Sequence, residues 1–226
     1  MNAAAYDVEP HTASLGIPAG TGVIVDPPDG MIPYQGWAPE KKKENFKNRA
    51  TTDPLGKCFM PGVPRVTYLP FPFQIIQTQR YVTIIYEYLH IYRTVYLDRS
   101  KHLEGVDFWN GDSIGRWEGN RLVVDVADFN DQTWLDAAGN FHGESLHVVE
   151  RYTRADADTI TYDVTIEDPK VFTRPWKMII LLYRHKEKNA RLLEHECHAY
   201  QAVAKVARPA RHRAIGPQRL RGTEIC

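Results

Sequence analysis

The stretch YEYLHIYRTVYLD, residues 86–98, places Glu87, His90 and Arg93 among four tyrosines and several aliphatic residues. An imidazole can give or take a proton near neutral pH, a phenol can polarise a carbonyl, and a guanidinium can stabilise a developing oxyanion. Strict alternation would set Tyr86, Tyr88, His90 and Tyr92 on one side of a strand and Glu87, Leu89, Ile91, Arg93 and Val95 on the other. A bend near Leu89 would let both sets face one pocket. A buried charge needs a partner, so Glu87 and Arg93 are expected to pair with each other or with groups on neighbouring strands. Aromatic packing across strands accounts for the same tyrosines without any chemistry.

A second concentration is NFHGESLHVVERY, residues 140–152, with His142, Glu144, His147, Glu150 and Arg151. On a strand His147 and Arg151 share a face and Glu150 takes the other. The third is EHECHAY, residues 194–200, with His195, Cys197 and His198. Trp109, Trp117 and Trp134 stand in or beside proposed strands, near Asp107, Asp112, Asp131 and Asp136 in loop-like segments. Such aromatic and carboxylate rims often surround a ligand site, although most tryptophans serve as core. The candidate catalytic set is therefore His90, His147, Tyr88, Arg93, Glu87 and Arg151, with Tyr86, Tyr92, Trp109, Trp117, Trp134, His142, Glu150 and His198 as substrate-binding candidates. No His, Cys, Asp or Glu spacing matches an established metal pattern, and glycine-rich nucleotide loops and the GxSxG elbow are missing. The expectation is no metal and no cofactor.

These residues need elements to position them. Eleven of the fifteen prolines lie within the first 72 residues, which predicts an extended wrapping arm over 1–72 with one helix at APEKKKENFKNRA, residues 38–50. From residue 73 the sequence turns to β-branched and aromatic runs separated by turn residues. Strands are predicted at FQIIQT, YVTIIYEYL, IYRTVYL, SLHVVERYTR, DTITYDVTIED, WKMIILLYRH and RLLEHECHAY, with a hairpin at SIGRWEGNRLVVDVADF turning at Gly119-Asn120. The fold class is all-β: an antiparallel up-and-down barrel, lipocalin-like or calycin-like, over 73–201, carrying the proline-rich arm and ending in a basic flexible tail over 202–226. A helix-grip or sandwich arrangement is the main competitor.

Composition narrows the partners. The chain has 226 residues, with 28 basic and 28 acidic side chains, so no global field points to nucleic acid or an anionic membrane. The longest apolar stretch, MIILLY, is too short to span a bilayer, and the N-terminus reads as no export signal. A cytoplasmic location follows, with secretion after signal removal as the alternative. The expected partner is a small molecule, and a homodimer is compatible with this. Three cysteines, Cys58, Cys197 and Cys226, argue against a disulfide scaffold and leave a Cys58 to Cys197 bridge open.

The motifs PGVPR (61–65), GRWEGNRLVVDV (115–126), TWLDAAGNFHGESLHVVERY (133–152), TIEDPKVFTRPW (165–176) and EHECH (194–198) together resemble a widespread family of bacterial and fungal proteins of largely unassigned function. The resemblance spans roughly residues 20 to 200 and implies an all-β, lipocalin-like core without implying a reaction. The family's usual ending carries Glu-Gly-Asn after Cys-His, where this chain has CHAYQA. The residues themselves favour a cofactor-independent enzyme, an isomerase, cyclase or lyase, acting by proton transfer on a small apolar molecule such as a natural-product intermediate. The alternatives are a non-catalytic carrier of a hydrophobic ligand and a structural β-domain whose arm and tail bind another protein.

Overall fold

The computed structural model describes residues 23–198. The chain divides into two compact units, residues 1–195 and 196–226. In the second, only residues 196–198 are described, with Glu196 and His198 exposed.

The first unit is built on one nine-stranded sheet: β1 (Ile24–Asp26), β2 (Phe73–Gln77), β3 (Tyr81–Tyr86), β4 (Tyr92–Tyr96), β5 (Asp112–Glu118), β6 (Arg121–Ala127), β7 (His147–Arg154), β8 (Thr159–Glu167) and β9 (Trp176–Tyr183). Their order is β1-β9-β8-β7-β6-β5-β4-β3-β2. Every neighbouring pair is antiparallel except β4 and β5, which run parallel and meet only at Tyr96 and Ile114. Among residues 23–196 the fold is therefore all-β with one α-helix, α1 (Ala38–Thr52). The expected antiparallel barrel is corrected in two respects: the β4–β5 pair makes the sheet mixed, and β1 and β2 are its two edges and do not pair, so hydrogen bonds do not close it.

The sheet nevertheless rolls over its own inner face. Alternation buries Val82, Ile84 and Tyr86 on β3, Leu122, Val124 and Val126 on β6, and Tyr162, Val164 and Ile166 on β8. Arg93 on β4 bonds Glu150 on β7, although β5 and β6 lie between them. Laid flat, three strand spacings would separate these residues by roughly 14 Å. The side chains meet because the sheet curls and they cross its concave side.

The hairpin at residues 118–121 forms as read, with Glu118 opposite Arg121 and Gly119 at φ 63°. The strand expected at residues 191–200 is not found among the described residues: residues 191–196 take no regular structure, and Cys197 and His198 are helical. Its expected place beside β9 is occupied by β1, a segment the sequence assigns to the arm. The helix packs through Ala38 and Asn45, and Asn45 Nδ2 donates to the Gly139 carbonyl at 3.3 Å. No helix among the described residues is long and apolar enough to cross a membrane.

Candidate functional site

The chain does not pass through residues 86–92 as a bent strand. It leaves β3, makes a single 3-10 turn over Tyr88–His90, and re-enters the sheet at β4. Leu89 and His90 both sit in the left-handed region, at φ 53° and 52°. Side chains with a Cβ adopt this region at a cost of order 1–3 kcal/mol each, so the surroundings must hold them there. His195 does so from one side: its Nδ1 accepts from the Leu89 amide at 3.3 Å, and its ring packs on Phe71 and Tyr88 at 4.7 and 4.9 Å. Tyr88 anchors the other side by donating its hydroxyl to the Leu55 carbonyl at 3.2 Å. Burial pushes the Tyr88 phenol up to about 12, which makes it a hydrogen-bonding anchor rather than a proton donor.

Beside this turn lies an open apolar groove of about 400 Å³ lined by Cys58, Phe59, Met60, Leu89, Ile91 and Trp109. His90 is exposed and stands between two of these walls, Leu89 and Ile91. Trp109 stacks on Phe59 at 5.1 Å. Its neighbour Asn110 is buried and points Nδ2 at the Met60 sulfur at 3.6 Å, while its Oδ1 is shut off from solvent with no hydrogen-bond partner. Cys58 and Cys197 are both disulfide-bonded, so the Cys58 wall is not a free thiol.

The interior carries a buried polar network. Glu150, fully buried, receives Arg93 through both terminal nitrogens and accepts the hydroxyls of Tyr152 at 3.0 Å and Tyr162 at 2.5 Å. Arg93 Nε donates to Ser113 Oγ at 2.9 Å, and Tyr86 shares a 3.3 Å bond with Thr67. Burial raises the phenols of Tyr86, Tyr152 and Tyr162, and Glu150 holds the Arg93 guanidinium charged despite its desolvation. This is a satisfied polar knot rather than a ligand cavity.

The outer face carries a different cluster. His147 Nε2 contacts Asp125 at 3.1 Å, and Asp125 also meets His102 Nε2 at 2.8 Å. His102 Nδ1 faces Asp112 Oδ2 at 3.1 Å, and Arg99 grips Asp112 with two nitrogens at 3.0 and 2.8 Å. The hydrogen bond to Asp125 raises His147, and the His147 bond is the main reason the Asp125 carboxyl falls to about 2.

The sequence-derived candidates thus divide by location. Trp109 lines the groove, His90 is exposed on the turn between the lining residues Leu89 and Ile91, and Tyr88 anchors that turn. Arg93, Tyr86 and Glu150 lie in the interior knot. His147 and Arg151 are on the outer face, where Arg151 donates to Thr165 at 3.1 Å. Glu87 accepts from the Leu193 amide at 2.7 Å and pairs with neither Arg93 nor another strand's charge in the knot. Tyr92 and Trp117 are exposed, Trp134 bridges Phe141, and His198 lies exposed in the second unit. His142 is buried: the Gly143 carbonyl at 2.8 Å fixes the proton on Nδ1, so Nε2 accepts from the Thr133 hydroxyl at 2.6 Å. Burial lowers its affinity for a second proton, as suits a neutral structural imidazole. Sequence reasoning did not single out Phe59, Met60, Leu89, Ile91 and Asn110 as groove residues, or His102, Asp125 and Asp128 as a cluster. Apolar walls have no chemical signature, and the cluster is assembled from separate segments. No family model, curated protein or solved structure matches the chain.

Proposed function

We propose that the chain is a cofactor-independent enzyme that binds a small, largely apolar molecule in the groove and moves a proton on it, as in an isomerisation, cyclisation or elimination. The observation that carries this reading is the apolar groove whose wall is a strained turn bearing His90. In this reading Trp109, Met60 and Ile91 hold the carbon skeleton, and His90 is the general base that returns the proton as general acid. A lipocalin-like architecture is part of the proposal, with the ligand in the groove rather than beside the buried Glu150 network.

The groove walls themselves carry no carboxylate, imidazole, amine or guanidine, and this favours a second reading as a carrier. The two separate in one experiment. Apolar carbonyl compounds are screened for quenching of tryptophan fluorescence, and proton exchange on bound compounds is followed in deuterated water. The enzyme reading expects Trp109→Ala to weaken binding, and His90→Gln to leave binding intact while slowing exchange by about 10²–10⁴-fold. Equal exchange in wild type and His90→Gln overturns the enzyme reading, and tight retention without exchange establishes the carrier.

A further inference from the structure

Against the sequence expectation of no metal, we propose that His102, Asp112 and Asp128 form a binding site for a divalent first-row transition ion, Zn²⁺ by preference, which fastens the loop of residues 97–111 to the sheet. One ligand atom from each residue lies within 4.8 Å of the others. The three come from different parts of the chain: His102 from the loop, Asp112 from the start of β5, and Asp128 from the residue after β6.

Four observations bear on the site. The His102 Nδ1 to Asp112 Oδ2 separation is 3.1 Å, close to the roughly 3.0 Å between two cis donors that each sit about 2.1 Å from a shared ion. The 4.8 Å spread is somewhat wider than a finished site, since two such donors reach at most about 4.2 Å, so binding draws Asp128 and the loop together slightly. Asp128 Oδ2 is shut off from solvent and has no hydrogen-bond partner, an acceptor that lacks a positive group. His102 Nε2 rests on Asp125 at 2.8 Å. A carboxylate in that position fixes the ring proton on Nε2 and turns the Nδ1 lone pair toward Asp112, an arrangement that is repulsive unless a cation or a second proton lies between them. Finally, Asp112, Asp125 and Asp128 bring three carboxylates together; Arg99 offsets one and a protonated His147 a second, which leaves negative charge for an ion to neutralise.

One imidazole with two carboxylates suits Zn²⁺ or Mn²⁺ better than Ca²⁺, with water completing the shell. The site sits where such a fastening matters. The parallel junction of β4 and β5 has a single backbone bridge, and the loop that crosses it carries Trp109. Arg93 to Ser113 ties the junction on the inner face and Arg99 to Asp112 on the outer, and the ion adds a third tie.

The full chain, stripped by a chelator that is then removed, is titrated with Zn²⁺ by calorimetry, and with Co²⁺ for its visible absorption bands. The expected result is saturable one-to-one binding with Co²⁺ bands of an imidazole and carboxylate site. Asp128→Asn and His102→Ala should each weaken it by about tenfold or more, and Asp125→Asn, which removes the orienting carboxylate, by about 10–100-fold. Asn adopts left-handed backbone readily, so Asp128→Asn removes the ligand without adding strain at φ 57°. Far-UV circular dichroism verifies that each variant is folded. An absence of saturable binding, which means that a proton bridges His102 and Asp112, overturns the proposal. So does wild-type affinity in both Asp128→Asn and His102→Ala, which places the ion on other histidines.

Discussion

Replacing Glu150 with methionine tests whether the interior is scaffold. Glu150 is fully buried and Arg93 is 4 % exposed, so the substitution leaves a guanidinium in the core without its counter-ion, its Nε still donating to Ser113. It also strips the acceptor from the Tyr152 and Tyr162 hydroxyls. Breaking a buried pair on one side costs about 3–5 kcal/mol, because the orphaned charge is not rehydrated. For a chain of this size that is a drop in midpoint of about 6–20 °C, against a total stability of only about 5–15 kcal/mol. Arg93→Met should cost a similar amount through the buried carboxylate. The double variant should recover most of both losses, since matched apolar side chains avoid the desolvation of two ions. Urea unfolding of the wild type, both single variants and the double variant closes the cycle. Single-variant losses below about 1 kcal/mol, or fully additive losses in the double variant, refute the claim that these groups exist to satisfy each other. Ligand binding in the groove should be unchanged in the folded double variant, because neither residue lines it.

Other perturbations have equally definite outcomes. Gly139 has φ 83°, and an added Cβ would lie 2.7 Å from the backbone of Lys42 and of Phe46 in α1; Gly139→Ala should therefore cost about 2–4 kcal/mol in urea unfolding. Gly119 has φ 63° with open space around it, so Gly119→Ala should cost only the conformational strain, about 1 kcal/mol. The His147–Asp125 pair should stabilise fully between about pH 4 and 6.5, the ordinary values of the two groups in the unfolded chain. That contribution fades as pH rises through the raised value of His147, and as it falls through about 2 for Asp125. The stability difference between wild type and His147→Ala, measured against pH in the presence of chelator, should follow that window; a difference independent of pH counts against the pair.

Much of the sheet was legible because its signals are local. Six strands and the hairpin follow from β-branched runs ended by turn residues, and Glu150 could be assigned to the face opposite His147 and Arg151 from parity alone. What failed was non-local. Nothing in IVD announces an edge strand, yet β1 takes the place beside β9 that the C-terminal run was expected to fill. Closure could not be read either, because whether two edges meet depends on curl summed over nine strands.

The turn at Tyr88–His90 shows how a local exception reassigns chemistry. Uninterrupted alternation separates Tyr86 from Arg93, seven positions apart, onto opposite faces, yet both are buried in the same interior knot. Two left-handed residues reset the parity: Arg93 turns inward to Glu150, and His90 is left outside at the groove. Neither residue prefers that backbone, and Gly at both positions would adopt it at no steric cost. Leucine gives the groove a wall there and histidine places an ionisable group on the exposed turn beside it, so in the proposed reading the strain is retained where it places a side chain with a use. The sharpest consequence is that His90→Gly, which relieves the backbone strain of the turn, should slow proton exchange at least as much as His90→Gln does. A fully active variant would remove the reason for reading strain as function.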